Sequence, residues 1–138
     1  MPRALLLTLV LAALSATPAD ASGKKADLDS TPYVDLAPTG LPIIVDGRLV
    51  NYVFVEVRLH VTPGHDSLAL KAKEPWYRDA MVRAGHRRSF VKAGSRTEVD
   101  EARLKAVVLA EARRISGPKA FDGVELESQA PRKHLSRR

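Results

Sequence analysis

The chain has 138 residues, of which 45% are hydrophobic and 28% charged, so it fits one globular domain with a leader or tail and excludes a disordered chain or a multi-span membrane protein. Its net charge of +6 favours an anionic partner such as a lipid head group, a cell-wall polymer or an acidic protein. Because cysteine is absent and aromatics make up only 5%, disulfides are excluded and no nucleic-acid partner is expected.

The N-terminus has the pattern of a secretory signal peptide at 1–21. A short basic start precedes an apolar run at 4–14, and Ala21 follows another alanine two positions earlier, as signal peptidase requires. Pro18 and Asp20 interrupt the apolar character before the roughly 20 residues that a membrane-spanning helix needs. We therefore expect export to the periplasm with cleavage after Ala21. The alternative is an anchor retained in the inner membrane, with the domain facing the periplasm.

The next segment leads into the first strand. Residues 22–32 are polar and charged, which predicts a flexible lead-in. A strand begins at Tyr33, but Pro38 and Pro42 have no N–H to donate to a neighbouring strand. We expect a bent or bulged strand in which only residues 43–45 pair regularly. Its early part is then a sheet edge that another chain can pair with.

A hairpin is the strongest local signal in the sequence. An Asp-Gly pair at 46–47 lies between apolar runs at 41–45 and 49–61, and such a turn needs φ > 0 at its central residues. In the second run apolar and polar residues alternate with a period of 2, which indicates a strand with one buried face.

A helical region follows the hairpin. A short helical turn is predicted at 67–73, then a first helix at 75–84 that ends near Gly85. Pro75 is tolerated because it lies in the first turn of that helix. The basic stretch beyond the helix contains Phe90, which is expected to return to the core.

The second helix has clear signals at both ends. Asp100 is a good N-cap and Gly117 precedes a proline that stops the helix. A last strand is predicted at 121–129, where apolar and acidic residues alternate. The chain then ends in a basic tail at 130–138, which lacks an apolar pattern and is expected to be disordered.

The order strand–strand–helix–helix–strand predicts an α+β fold at 33–129. It is a two-layer sandwich in which a small three-stranded sheet is covered by two helices. The sheet and the second helix each have an apolar face that needs a cover. The residues expected to meet in the core are Val55, Val57, Leu59, Leu104, Val107 and Val108.

No motif in the sequence points to catalysis or metal binding. His60 lies on the polar face of a strand and His65 lies beyond a Pro-Gly break, so they do not form a metal site with Asp66. The serines lack the G-x-S-x-G pattern, and no glycine-rich phosphate loop is present. Trp76 is interpreted as a residue of the core or of an interface. We expect no enzymatic activity, no cofactor and no metal.

Two groups of basic residues are candidate sites for an anionic partner. The first lies at the end of the first helix and the second in the tail; together they are Arg83, Arg87, Arg88, Arg132, Lys133, Arg137 and Arg138. Near an anionic membrane each basic residue is worth about 1 kcal/mol. The plain alternative is a solvated surface and tail with no partner.

Four segments together resemble the FliL family of flagellar basal-body-associated proteins. They are YVDLAPTGLPIIVDGRLVNYVFVEVRLHV, KEPWYRDAMVRA, DEARLKAVVLAEARRI and FDGVELESQ, all within 33–129. The family's Pro-x-x-Arg-Asp-Ala helix signature and its closing strand are matched by Pro75, Arg78, Asp79, Ala80, Val124, Leu126 and Gln129.

The resemblance implies a periplasmic domain similar to the stomatin-like (SPFH) fold, which assembles into rings around the flagellar stator and supports torque. It implies no catalytic residues. Family members usually keep a transmembrane anchor before this domain, whereas a cleaved signal peptide is expected here. We expect a non-enzymatic, homo-oligomeric scaffold associated with the flagellar basal body, the stator or other envelope proteins. The alternative is a soluble periplasmic module whose basic surface binds anionic lipid, cell-wall polymer or an acidic partner protein.

Overall fold

The strands and helices follow one another in the predicted order. A computed structural model of the chain describes residues 31–132, so the predicted signal peptide and nearly all of the predicted lead-in lie outside the described residues. The elements are β1 (Tyr33–Val45), β2 (Arg48–Val61), α1 (Ser67–Lys71), α2 (Glu74–Arg87), α3 (Glu101–Ser116) and β3 (Phe121–Pro131). The antiparallel sheet has the order β1-β2-β3, and the α+β fold class is confirmed.

β1 and β2 form the predicted hairpin. Asp46 and Gly47 have φ values of 51° and 72°, the left-handed conformation that this two-residue turn requires. Along β2 every second residue is buried, as the period of 2 predicts. These buried residues are Val53, Val55, Val57, Leu59 and Val61.

β1 is paired along more of its length than the sequence predicts. It runs antiparallel to β2 from end to end, with irregularities in the register after Leu36 and after Ile43. Pro38 lies within the first irregularity, where β1 residues have no partner on β2, so its missing N–H removes no ladder bond. The predicted bulge is therefore present, but the expectation that only residues 43–45 pair regularly is wrong.

Side chains from the helical layer close part of the free edge of β1. The Ala37 N–H donates to Glu74 Oε1 at 3.0 Å. Ser89 Oγ accepts the Ile44 N–H at 3.1 Å and donates to the Pro42 carbonyl at 3.0 Å. These contacts satisfy backbone groups that would otherwise attract another strand. They begin at the fifth residue of β1 and do not involve its first four residues.

The two long helices together cover one face of the sheet. α2 packs against β1, α3 packs against β3, and the helices also contact each other. Their buried contributions to the core include Tyr77, Met81, Leu104 and Val108. Val107 is only partly buried at the margin of this core, although the sequence predicts it inside.

α2 continues beyond the helix end that the sequence predicts. The expected end is near Gly85, but the helix runs to Arg87. Gly85 is buried, and a Cβ atom at this position would stand 3.3 Å from Phe90 Cε2. The glycine therefore permits close packing rather than ending the helix. Phe90 is buried, which confirms that this loop returns to the core.

α3 has the predicted caps, whereas β3 is longer than predicted. The Asp100 side chain accepts a first-turn backbone N–H at 3.1 Å, and Gly117, with φ of 106°, follows the last turn. β3 reaches Pro131, two residues beyond the predicted end. The prediction of a disordered tail at 130–138 is therefore wrong for residues 130 and 131, which extend the sheet, and residues 133–138 lie outside the described residues.

A charged network lies on the sheet face opposite the helices. Arg58, on the central strand, hydrogen-bonds Asp35 of β1 at 2.7 Å and pairs with Glu127 of β3 at 2.8 Å. Its guanidinium carbon lies 3.9 Å from the centroid of the Tyr33 ring, within cation–π range. The hydrogen bond to Asp35 raises the pKa of Arg58. One arginine thus connects all three strands.

We expect Val57→Asp to unfold the domain. Val57 is 2% exposed, and an unpaired carboxylate buried there costs several kcal/mol out of a typical total of about 5–15 kcal/mol. Glu56→Ala, one residue away on the outer face, is the control and should change the stability by no more than about 0.5 kcal/mol. Thermal melts followed by circular dichroism measure both. Matching melts for Val57→Asp and the parent would contradict the assignment of the buried face.

Candidate functional site

Residues of α2 and α3 line a groove on the surface of the helical layer, which we call the α2–α3 groove. Its volume is about 250 Å³. It is lined by Trp76, Asp79, Ala80, Arg83, Arg87, Glu111, Arg114 and Ile115. The members from α2 lie at 76, 79, 80, 83 and 87, each three or four residues from another member, so they share one face of that helix.

Arginines and carboxylates alternate around this groove. Glu111 lies between two guanidinium groups, with Arg87 at 3.2 Å and Arg114 at 2.7 Å. Asp79 pairs with Arg83 one turn further along α2, and this hydrogen bond raises the pKa of Arg83. Three arginines against two carboxylates leave a surplus of one positive charge.

The groove arginines are accessible even though they are ion-paired. The side chains of Arg83, Arg87 and Arg114 are 70%, 64% and 69% exposed, whereas that of Glu111 is 18% exposed. Exposed ion pairs contribute at most about 1 kcal/mol each. A guanidinium has five N–H donors, more than one carboxylate uses. These arginines can therefore donate hydrogen bonds to a second carboxylate from solution.

An adjoining groove of about 240 Å³ adds two more arginines. It is lined by Ala84, Arg87, Arg88, Phe90, Arg103 and Val107, so Arg87 belongs to both grooves. The Arg103 guanidinium donates to the carbonyls of Ser89 at 2.6 Å and Arg88 at 3.0 Å. We call the two grooves together the arginine seam. It contains five arginines and two carboxylates, a surplus of three positive charges.

The structure brings together the arginines predicted at the end of the first helix, and it describes only Arg132 of the basic residues predicted in the tail. Arg83 and Arg87 line the α2–α3 groove, and Arg88 lines the adjoining one. Arg132 lines neither groove; it follows β3, and its N–H donates to a carbonyl of β2 at 2.8 Å. The remaining predicted residues, Lys133, Arg137 and Arg138, lie outside the described residues.

Of the residues that line the α2–α3 groove, sequence reasoning names only Arg83 and Arg87 as site residues. Trp76 is 60% exposed, so the core alternative predicted for it is wrong and the interface alternative stays a prediction. Glu111 and Arg114 come from α3, and only the packing of the helices places them beside Arg87. A signal for Trp76 exists in the sequence, since it lies seven residues before Arg83 and therefore on the same helix face.

The histidines have no metal-ligand arrangement in the part of the chain that the structure describes. Within residues 31–132, no group of three or more His, Cys, Asp or Glu side chains is placed to hold a metal ion. His60 instead pairs with Glu125 across the sheet at 3.3 Å. In the same range, none of the helices combines the length and the apolar character needed to cross a membrane.

Comparison of the chain with protein-family models, with curated proteins and with solved structures finds no match. Three residues of the FliL resemblance have clear structural roles in the fold. Pro75 lies in the first turn of α2, and Ala80 is buried. Gln129 Oε1 accepts the Val99 N–H at 3.1 Å, just before α3. Pro75, Ala80 and Gln129 therefore have roles in the fold, whereas Asp79, which also belongs to the resemblance, lines the α2–α3 groove.

We expect the double variant Arg83→Gln/Arg87→Gln to lose at most about 2 kcal/mol of stability, since each exposed pair contributes up to about 1 kcal/mol. Arg103→Gln should cost about 1.5–3 kcal/mol on its own, because it removes charged hydrogen bonds to two loop carbonyls. Urea unfolding followed by circular dichroism measures both. A larger loss in the double variant than in Arg103→Gln would show that the groove arginines are needed for the fold.

Proposed function

We propose that the protein is a non-enzymatic, self-associating scaffold of the cell envelope, similar to FliL proteins and associated with the flagellar basal body and stator. The observation that carries the proposal is that the sheet has free edges. Within residues 31–132, the helices cover one face of three strands, and β1 and β3 each have a free edge. Free edges are templates for pairing with another chain. The family resemblance over 33–129 supports the same function.

The first residues of β1 are the part of the edge best suited to self-association. The Val61 N–H donates to the Pro32 carbonyl at 2.8 Å. The alternation of an antiparallel ladder then directs the backbone groups of Tyr33 and Asp35 to the free side. Further along, Glu74 and Ser89 occupy backbone groups of this strand. A neighbouring chain is therefore expected to pair at the beginning of β1.

The purified protein is expected to be a homo-oligomer at high concentration, as measured by light scattering. Asp35→Pro should shift the mass towards a monomer, because it removes an N–H on the free side of β1 and none from the ladder with β2. Asp35→Asn is the matched control: it removes the same charge but keeps the N–H, and it should retain the parent mass. Circular dichroism checks that both variants fold. A monomeric parent at millimolar concentration would contradict self-association, and equal masses for the two variants would exclude this edge.

Export is tested at the N-terminus, which lies outside the described residues. Mass spectrometry of the protein recovered from cells should find Ser22 as its first residue, since Ala21 ends the pattern that signal peptidase reads. The protein should then be recovered with the periplasmic fraction. An intact Met1 in the membrane fraction would support the anchored alternative.

The link to motility is tested by deleting the gene. A flagellar scaffold predicts reduced swimming with flagella still assembled, restored by the parent gene. Asp35→Asn should restore swimming and Asp35→Pro should not, if assembly through the β1 edge is needed. Normal swimming of the deletion strain would contradict the flagellar role.

The arginine seam supports a second function, that of a soluble periplasmic binding module. Its surplus of three positive charges suits anionic lipid, cell-wall polymer or an acidic partner protein. Binding to anionic vesicles or to cell-wall sacculi, together with normal swimming of the deletion strain, would favour this function over the first.

A further inference from the structure

We propose that the α2–α3 groove binds an extended acidic segment of a partner protein, with one bulky apolar side chain packed on Trp76 and carboxylates paired with Arg83, Arg87 and Arg114. The proposal rests on the binding function above and specifies its partner. It is carried by an exposed aromatic anchor, a set of accessible guanidinium groups and the dimensions of the groove.

Trp76 supplies an apolar surface that is largely exposed to solvent. Trp76 is 60% exposed, although it lies on the same helix face as the buried Ala80. Ile115, which packs against the core, contributes a further apolar surface to the groove. Exposed tryptophan and arginine side chains that line one groove are typical of the residues that dominate binding energy at protein interfaces.

The charges of the groove favour carboxylates. Glu111 shows the geometry, because its two carboxylate oxygens contact Arg87 at 3.2 Å and Arg114 at 2.7 Å. The planar guanidinium fork matches a carboxylate and can form two parallel hydrogen bonds with it. Since the arginine side chains are 64–70% exposed, further carboxylates can approach them from the solvent side.

The size and shape of the groove favour a peptide over a membrane. Trp76 and Arg87 are 11 residues apart on α2, or about 16 Å at 1.5 Å per residue. An extended chain advances about 3.3 Å per residue, so about five or six residues span this distance. The site is a concave groove between two helices, which fits a single chain better than the flat surface of a bilayer.

The protein has one tryptophan, so its fluorescence reports directly on this groove. The purified protein is titrated with a hexapeptide of one leucine followed by five glutamates. A second hexapeptide, in which glutamine replaces every glutamate, is the control. We expect a saturable change in Trp76 fluorescence with the glutamate peptide, weaker at high salt, and none with the glutamine peptide.

Two double variants distinguish binding at the groove from attraction to the overall positive charge of the protein. Arg83→Gln/Arg87→Gln should weaken binding of the glutamate peptide about tenfold, since each exposed ion pair contributes a factor of up to about five. Arg48→Gln/Arg96→Gln removes the same charge from exposed positions outside the groove and should keep the parent affinity. The urea unfolding measurement described above checks that the groove variant is folded.

Each contrary outcome identifies what fails. Equal weakening in the two double variants would overturn the groove as the site. A response to vesicles of phosphatidylglycerol and phosphatidylcholine, with none to the peptide, would overturn the peptide partner and leave the binding function with a lipid ligand. A fluorescence change on concentrating the protein alone, lost in Arg83→Gln/Arg87→Gln, would assign the groove to a second copy. Absence of binding to peptide, vesicles and sacculi would reject the binding function itself.

Discussion

Burial of one face of β2 is the constraint on which the rest of the structure depends. β2 is the central strand, and its inward residues from Val53 to Val61 are all buried. A single hairpin cannot hide such a face, because two strands provide no second layer. One helix over β1 and another over β3 cover the central strand between them. Two helices placed side by side leave a groove along their contact, so the α2–α3 groove follows from the same constraint.

Local sequence signals are sufficient to predict the structure of a segment that depends only on its own residues. The period of 2 in β2, the turn at Asp46 and the caps of α3 depend on neighbouring residues, and the structure confirms them. The sequence-based predictions fail where a residue distant in the chain determines the local structure. In the sequence, Gly85 indicates a helix end. In the structure, this glycine instead permits the close packing of Phe90. Likewise Glu111 lies 24 residues after Arg87, and no periodicity within α2 indicates that α3 will place a carboxylate there.

The two charged surfaces of the molecule differ in how far their charges are internally balanced. On the outer sheet face, Arg58 is shared by Asp35 and Glu127, and its side chain is only 26% exposed. That network is an internal connection between strands. In the arginine seam, cations outnumber carboxylates and most of the arginine side chains remain in contact with solvent. A separate anionic partner therefore gains more from the seam than from the sheet face.

The two proposed functions would use different parts of the fold, so one copy of the protein could carry out both. Self-association would involve the first residues of β1, whereas the proposed acidic segment would bind between α2 and α3. Binding through exposed ion pairs and one aromatic contact is weak for a single groove. An oligomer presents the groove once per copy, and linked sites convert later binding events into intramolecular ones, which raises the overall affinity without new contacts. A scaffold built from such copies would hold a repetitive acidic partner firmly while each individual contact remained exchangeable.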